Sequence, residues 1–169
     1  MTIDVVPYDP RWAAAFAWEH DRLVEALAPW LAGGVEHVGS TAVPGLAAQP
    51  LLDLVAGVAS VEEARDALPV LARLGYELGV HGSAEALLLT RSREGRQTHA
   101  LLLTEVGSAL WRERLAFRDA LLASPSVAQR YAALKRRLAA EHTDVRSYTS
   151  DKRLFVATVL QSKGIVLAP

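Results

Sequence analysis

Residues 36–55 read EHVGSTAVPGLAAQPLLDLV, in which a glycine-serine-threonine corner leads past two prolines into an apolar run with one carboxylate. Glycine lets a backbone approach a ligand closely, so Gly39, Ser40 and Thr41 can offer N–H groups and two hydroxyls to an anion. Asp53 lies among leucines and a valine, where an ionised group needs a cation, a metal or good hydrogen bonds. The pattern suits a phosphate with a hard divalent metal such as Mg²⁺. It also suits a tight turn followed by an aspartate that backbone donors satisfy.

The composition predicts one domain that spans residues 1–169. Hydrophobic residues make up 51% of the chain and charged residues 22%, which argues against disorder. The formal net charge of −1 provides no overall field to attract nucleic acid. The sequence has no cysteine, and no apolar run approaches the roughly 20 residues that cross a bilayer. We therefore expect a cytoplasmic protein without a membrane partner and without nucleic acid, and the oligomeric state stays open.

Hydrophobic periodicity and turn residues predict a sheet followed by helices. The predicted elements are a helix over residues 10 to about 31, strands at 35–38 and 51–58, a capped helix over 60–74, strands at 76–80, 86–90 and 98–104, and helices that begin at Ser108, Ser124 and Thr149 or Ser150. Glycines 79, 82 and 95 supply turns, so the last three strands are expected to be antiparallel. The fold class is α/β of the α+β kind, with a mixed, largely antiparallel sheet of about five strands and C-terminal helices packed on it.

Several charged residues can be explained without a functional site. Glu19 falls on the apolar stripe of the first helix, where it is either solvated at the core edge or paired with a buried cation. Arg114 and Arg118 share a helical face and suit a structural salt-bridge set, although Arg118 can also close a pocket over the aspartate. The run at 135–137 (Lys-Arg-Arg) suits a solvated helix face, and the run at 91–96 suits an exposed loop with three arginines.

The run HVGSTAVPGLAA at residues 37–48 resembles the signature of the GrpB family. The likeness extends from the YDPRW segment at residues 8–12 through positions around Trp111 and Tyr131 to Lys152, so it covers nearly the whole chain. That family is related to the nucleotidyltransferase superfamily of DNA polymerase beta, and it also occurs fused to dephospho-CoA kinases. The resemblance implies a nucleotidyltransferase-like core.

The resemblance also implies a site. In that superfamily a Gly-Ser pair binds triphosphate, and carboxylates on the next strand hold two magnesium ions. Carried over, Gly39 and Ser40 are the phosphate corner with Thr41 beside them, and Asp53 is the catalytic, metal-binding carboxylate. The second carboxylate would stand two residues later on the same strand face, where this chain has Val55. One carboxylate cannot hold two metal ions, so two-metal transfer is less expected here.

Four further residues complete the predicted nucleotide site. His37 either projects into the pocket or packs on the opposite sheet face beneath the first helix. Arg96 either reaches a phosphate as a planar fork or stays a solvated loop charge. Of a histidine pair that the family tends to carry on one strand only His99 is present, so a histidine metal site is not expected and a half-buried, hydrogen-bonded role is open to it. Lys152, four residues after Tyr148, either points at a nucleotide or serves the structure.

Three functions compete at this point. The first is an enzyme that binds a nucleoside triphosphate with Mg²⁺ and transfers a nucleotidyl group to a small-molecule acceptor, or activates that molecule. The second is a non-catalytic nucleotide or phosphometabolite sensor. The apolar side chains of Val55 and Leu101 favour it, because they stand where catalytic or metal-binding groups could have stood. The third is an interaction scaffold, which is consistent with the family's fusion to a kinase domain.

Overall fold

The computed structural model describes residues 4–80, 83–141 and 144–167, with the backbone alone at Val145. In this part of the chain the elements follow in the order α1 (Arg11–Leu27), β1 (Leu31–Val38), β2 (Leu52–Val58), α2 (Val61–Ala64), α3 (Leu68–Arg73), β3 (Glu77–Leu78), β4 (Ala86–Arg93), β5 (Arg96–Glu105), α4 (Ala109–Ala123), α5 (Pro125–Glu141) and α6 (Val145–Gln161). Short 3-10 turns occupy Ser40–Ala42 and Arg65–Ala67.

The strands form a five-stranded sheet in the order β1-β2-β5-β4-β3. Strands β2 and β5 are parallel, and every other neighbouring pair is antiparallel. The β4–β5 hairpin turns at Glu94 and Gly95, which both have positive φ, 53° and 75°. Two such residues make the tight turn whose twist matches that of paired strands. The predicted mixed, largely antiparallel sheet is therefore confirmed.

The main core lies between one sheet face and helices α1, α2 and α3. Side chains alternate between the two faces of a strand, so every second apolar residue of β2, β4 and β5 points to this side. The leucines of this core with at most 2% exposure are Leu23, Leu27, Leu54, Leu71, Leu87, Leu89, Leu101 and Leu103. Burial of such side chains contributes about 1.5–3 kcal/mol each.

Helix α4 packs on the opposite sheet face through close approach to a glycine. A Cβ at Gly57 would lie 2.6 Å from the Val106 side chain and 2.9 Å from the Trp111 ring. Any larger residue at position 57 would therefore push the Trp111 ring away from the sheet. Helices α4, α5 and α6 build a second core together with residues after the corner, which includes Val43, Leu46, Phe117, Leu121, Tyr131 and Leu160. The two larger apolar cores among the described residues thus lie on the two sides of the sheet.

The boundary between α1 and β1 differs from the prediction. The helix ends at Leu27 instead of about residue 31, and the Gly33-Gly34 pair that was expected to follow the helix lies inside β1. Leu31 pairs with Val58, and the register shifts between Leu31 and Gly34, whose φ is +80°. A bulge that glycine permits therefore extends the strand, and sheet pairing outweighs the local signal to end the helix.

The predicted 60–74 helix is divided. Its start is confirmed, because the Ser60 hydroxyl accepts the N–H of Glu63 at 3.3 Å. A 3-10 turn at Arg65–Ala67 then separates α2 from α3, whose first turn holds Pro69. Proline lacks an N–H and is tolerated only in a first helical turn, so the chain restarts the helix there.

Two predictions for the C-terminal helices were wrong in part. Hydrophobic periodicity favours burial of Leu122 by the helix that begins at Ser108, but in α4 this residue is 49% exposed, while the neighbouring Leu121 is buried at 1%. The buried face is set by Phe117 and Leu121, which contact α5 and α6. Helix α6 begins at Val145 and not at residue 149 or 150, because the Asp144 carboxylate accepts the N–H of Ser147 at 2.8 Å and caps it.

The exposed arginine loop predicted at residues 91–96 is mostly strand. Only Glu94 and Gly95 turn, and Arg91 is half-buried in β4. The glycine turn expected at Gly82 lies outside the described residues. Among the helices that the structure describes, none has the length and apolar character to cross a membrane.

Candidate functional site

The corner after β1 brings a glycine against the strand-borne carboxylate. Val38, the last residue of β1, pairs with Asp53 of β2. Gly39 follows with φ +71° and ψ −171°, a backbone conformation that is essentially restricted to glycine. A Cβ at Gly39 would lie 2.5 Å from the Asp53 Oδ2 atom. The structure therefore places Gly39, Ser40 and Asp53 together, as the sequence predicted.

Three basic side chains from three helices act electrostatically on the half-buried Asp53 carboxylate. They are Arg114 of α4, Lys135 of α5 and Lys152 of α6. Burial raises the pKa of Asp53, and the attraction of these cations opposes the rise without cancelling it. We call Asp53, these three basic side chains and the Gly39 corner the cleft, which contains one carboxylate and three basic groups among the described residues. A net positive, partly desolvated cleft is complementary to an anion that carries several charges.

Lys135 is the member of this cleft that the sequence analysis placed wrongly. It was assigned to a solvated helix face, yet it is only 2% exposed. Its ammonium group donates a hydrogen bond to the Ala47 carbonyl and lies 4.9 Å from the centre of the Tyr131 ring. Burial, helped by Lys152 and Arg136, lowers the pKa of Lys135 to about 7. A signal existed, because Lys135 follows Tyr131 by four residues and so shares its buried helical stripe.

Two tyrosines line the cleft beside the cations. The Tyr131 phenol lies near Ser40, and its pKa is raised chiefly by burial and further by Tyr148 and Asp53. The Lys152 ammonium lies 4.2 Å from the centre of the Tyr148 ring. Burial raises the pKa of Tyr148 to about 12. Lys152 thus contacts Tyr148 near the start of α6 and also interacts electrostatically with Asp53.

His37 and Thr41 support the corner from the other side. The His37 ring stacks on Phe16 of α1 with centroids 4.8 Å apart, and its Nε2 lies 2.9 Å from the Thr41 hydroxyl oxygen. That hydroxyl donates to the Leu51 carbonyl at 3.0 Å. Burial, assisted by the positive charge of Arg118, lowers the pKa of His37 to about 4, so the ring is neutral at pH 7. Of the two placements open to His37, the structure shows packing beneath α1, away from Asp53.

His99 also lies on the sheet face opposite Asp53. The Asp53 backbone pairs with Ala100, and strand alternation turns the neighbouring His99 to the other side. There the Nη2 of Arg91 lies 2.7 Å from the His99 Nε2. The pKa of His99 is lowered to about 4, first by burial and then by Arg91. The structure therefore uses His99 in a half-buried polar cluster with Glu19, and does not bring it to the cleft.

Three further arginines, at positions 96, 114 and 118, have different surroundings in the structure. Arg96 is exposed at the start of β5, four residues before Ala100, which is roughly 13 Å along a strand. Arg118 donates to the Glu36 carboxylate at 2.7 Å and to the His37 carbonyl at 3.2 Å. It therefore forms the structural salt bridge that the sequence suggested, whereas Arg114 is the arginine that acts on Asp53.

The donor set of the cleft does not fit a resident metal ion. Within residues 4–80, 83–141 and 144–167, no three His, Cys, Asp or Glu side chains converge to hold a metal. Val55, at the position of a second carboxylate, is fully buried. Mg²⁺ commonly binds one or two carboxylates together with substrate phosphates. Asp53 can hold such an ion only with oxygen ligands that a phosphorylated partner supplies.

Comparison with solved structures defines the class of fold. The chain superposes on the GLD-2/RNP-8 complex with a TM-score of 0.58 at 14% identity, over 90% of this chain and 59% of that one, a likeness that concerns the fold alone. The mixed sheet with packed helices is therefore a fold that this chain shares with that complex.

The family follows from closer relatives. The GrpB protein family model matches residues 2–162, and the chain belongs to this family. It is 35% identical to a UPF0157 protein of Streptomyces coelicolor over 164 residues, 97% of this chain and 85% of that protein. The crystal structure of the conserved protein GrpB from Enterococcus faecalis matches with a TM-score of 0.84 at 29% identity, over 95% of this chain and 99% of the other. The predicted GrpB resemblance is confirmed.

Proposed function

We propose that the cleft binds the phosphates of a nucleoside triphosphate with magnesium, and that the chain transfers a nucleotidyl group to a small-molecule acceptor. The observation that carries this proposal is the convergence of Arg114, Lys135 and Lys152 on Asp53 directly beside the Gly39 corner. Phosphates carry several charges and only hydrogen-bond acceptors when ionised, so a cleft with an excess of cations and donors suits them.

Each group has a distinct part in this proposal. The lysines and Arg114 neutralise the phosphate chain, and Gly39 lets it approach the backbone N–H groups of the corner. Magnesium, brought in with the phosphates, would be held by Asp53 and would neutralise charge on the transferring group. The acceptor oxygen bonds to the α-phosphorus, the bond to the bridging oxygen breaks, and pyrophosphate leaves while the acceptor proton passes to water.

A second function shares the same cleft. A non-catalytic binder of nucleotides or phosphometabolites is favoured by Val55, which places an apolar side chain where a second metal-binding carboxylate would stand. In that case the cations bind the phosphates and no group transfer follows. The two functions make the same prediction for binding, but they differ in turnover and in the effect of magnesium.

Thermal unfolding with ATP, GTP, CTP and UTP, each with and without magnesium, tests the proposal. A ligand at about 100 times its Kd stabilises a protein by roughly 2.7 kcal/mol, which corresponds to a Tm rise of about 5–10 °C for a chain of this size. We expect such a rise with at least one triphosphate, larger with magnesium, and loss of the magnesium-dependent part in Asp53→Asn.

The control variant is Asp66→Asn, which changes an exposed aspartate in the Arg65–Ala67 turn away from the cleft. It should respond to ligands as the wild type does. Absence of any shift with all four triphosphates would contradict both the enzyme and a non-catalytic binder of nucleoside triphosphates. A shift that is independent of magnesium and is not followed by pyrophosphate release would favour the non-catalytic binder over the enzyme.

A further inference from the structure

The hydroxyl of Tyr148 is buried without a hydrogen-bond partner among the described residues. The side chain lies in the first turn of α6, has 0% exposure and packs against Leu138 of α5. Polar groups removed from water are nearly always paired, so an unpaired one requires an explanation. A phenylalanine would fill the same space without this hydroxyl, and therefore packing alone does not account for tyrosine here.

The position of Tyr148 relative to the cleft supplies the explanation. Its ring contacts the Lys152 ammonium, which also acts on Asp53. The Tyr131 phenol, which lies near Ser40, interacts electrostatically with both Tyr148 and Asp53. Tyr148 therefore belongs to the wall that α5 and α6 present to the corner, next to a cation that suits phosphate.

We infer that the Tyr148 hydroxyl donates a hydrogen bond to a phosphate oxygen of the ligand, so that this buried group is paired only in the complex. The inference rests on the proposed function, because it assigns a donor to the phosphate chain in the same cleft. An ionised phosphate has acceptor oxygens for the hydroxyl and negative charge for the adjacent Lys152. Tyr148 is thus a positioning residue for the ligand and not a part of the folding core alone.

A pair of Tyr→Phe variants separates this role from a structural one. Tyr76 is a matched control, because it is 2% exposed and its hydroxyl donates to the Glu19 carboxylate at 2.9 Å. Without ligand, Tyr148→Phe should raise the Tm by about 2–4 °C, since an unpaired buried group is removed. Tyr76→Phe should lower the Tm, because a satisfied hydrogen bond to a buried carboxylate is lost.

Calorimetric titration with the four magnesium–nucleoside triphosphates and with inorganic tripolyphosphate measures the ligand contact. We expect Tyr148→Phe to raise the Kd for both kinds of probe by about 10- to 100-fold, because one hydrogen bond to a charged group is removed. Tyr76→Phe should leave both Kd values unchanged. Higher stability together with weaker binding is a combination that a purely structural tyrosine does not produce.

Each other outcome overturns the inference in a distinguishable way. A lower Tm for unliganded Tyr148→Phe would mean that the hydroxyl is already paired. Weaker binding of nucleotides but not of tripolyphosphate would place the contact on the nucleoside. Unchanged affinity in Tyr148→Phe, while Asp53→Asn loses its magnesium-dependent shift, would refute the role of Tyr148 and leave the proposed function standing. If neither probe binds the wild type, both fail together.

Discussion

Lys135 shows how much the surroundings of one side chain change its chemistry. The same residue type on the surface is a solvated cation, but here the ammonium is nearly removed from water and lies among Lys152, Arg136 and Asp53. Desolvation and like charge both disfavour the protonated form. A bound phosphate would reverse this balance, so the cost of burying the cation is offset when the ligand is present.

The lowered pKa of Lys135 predicts a specific pH dependence of stability. The folded-state pKa is about 7 and lies below the unfolded value, so between these two values the unfolded chain binds more protons. The free energy of unfolding of the wild type should therefore rise as the pH increases from about 7 to about 10. Urea denaturation across this range should show a smaller rise in Lys135→Met.

The control for this experiment is Lys163→Met, which changes an exposed lysine after α6. Its slope against pH should equal that of the wild type. Lys152, whose pKa is also lowered by burial, titrates in the same direction, so Lys135→Met should reduce the slope without abolishing it. Equal slopes in the wild type and Lys135→Met would contradict the assignment.

A buried ion pair connects helix α1 to strand β4. Glu19 has no exposed surface, and its carboxylate accepts Arg91 at 2.8 Å and Tyr76 at 2.9 Å. Burial alone would raise the pKa of Glu19, but the hydrogen bonds from Arg91 and Tyr76 outweigh it and the pKa is lowered. Of the two roles that the sequence left open for Glu19, the structure shows pairing with a buried cation.

Removal of one partner of this pair should destabilise the fold. Glu19→Gln leaves the half-buried Arg91 without a counter-charge, and breaking buried pairs in this way costs about 3–5 kcal/mol. Urea denaturation of Glu19→Gln measures the loss. The exposed pair Glu62–Arg65, with nitrogen and oxygen 3.3 Å apart, provides the comparison, and Glu62→Gln should cost less than about 1 kcal/mol. A similar cost for both variants would argue against the linking role of Glu19.

The arrangement of charge over the molecule concentrates cations in one place. The formal net charge of the chain is −1, yet three positive side chains from α4, α5 and α6 face the Asp53 corner. A ligand in this cleft would contact the sheet at Gly39 and the helices at Lys135 and Lys152. It would therefore join the sheet to the helical layer that builds the second core.

Hydrogen exchange should detect a ligand that contacts both the sheet corner and the C-terminal helices. With the best-bound magnesium–nucleoside triphosphate, amides of α5 and α6 and of the corner at residues 38–42 should become more protected, because local opening of these segments would break ligand contacts. Amides of α1, on the opposite sheet face, should change little and serve as the internal control. Protection confined to α1 and β4 would place the ligand elsewhere.

The residues that local chemistry controls were predictable from the chain. The corner at Gly39, the cap at Ser60, the hairpin turn at Gly95 and the carboxylate at Asp53 each follow from a residue type and its immediate neighbours. The order of helices and strands follows from hydrophobic periodicity. The run at residues 37–48 also carried the resemblance to the GrpB family, and the match over residues 2–162 confirms that family.

Which side chains meet depends on sheet register and helix packing, and local patterns such as the four-residue spacing of Tyr131 and Lys135 carry only part of that information. Strand alternation placed His37 and His99 on the face opposite Asp53, and the packing of α5 moved Lys135 from an expected surface into the cleft. A shift of one residue in register would exchange the two faces of a strand. The Gly39 corner and Asp53 could therefore be predicted from the sequence. The basic residues of the cleft lie on three different helices, and only the tertiary packing of those helices brings them near Asp53.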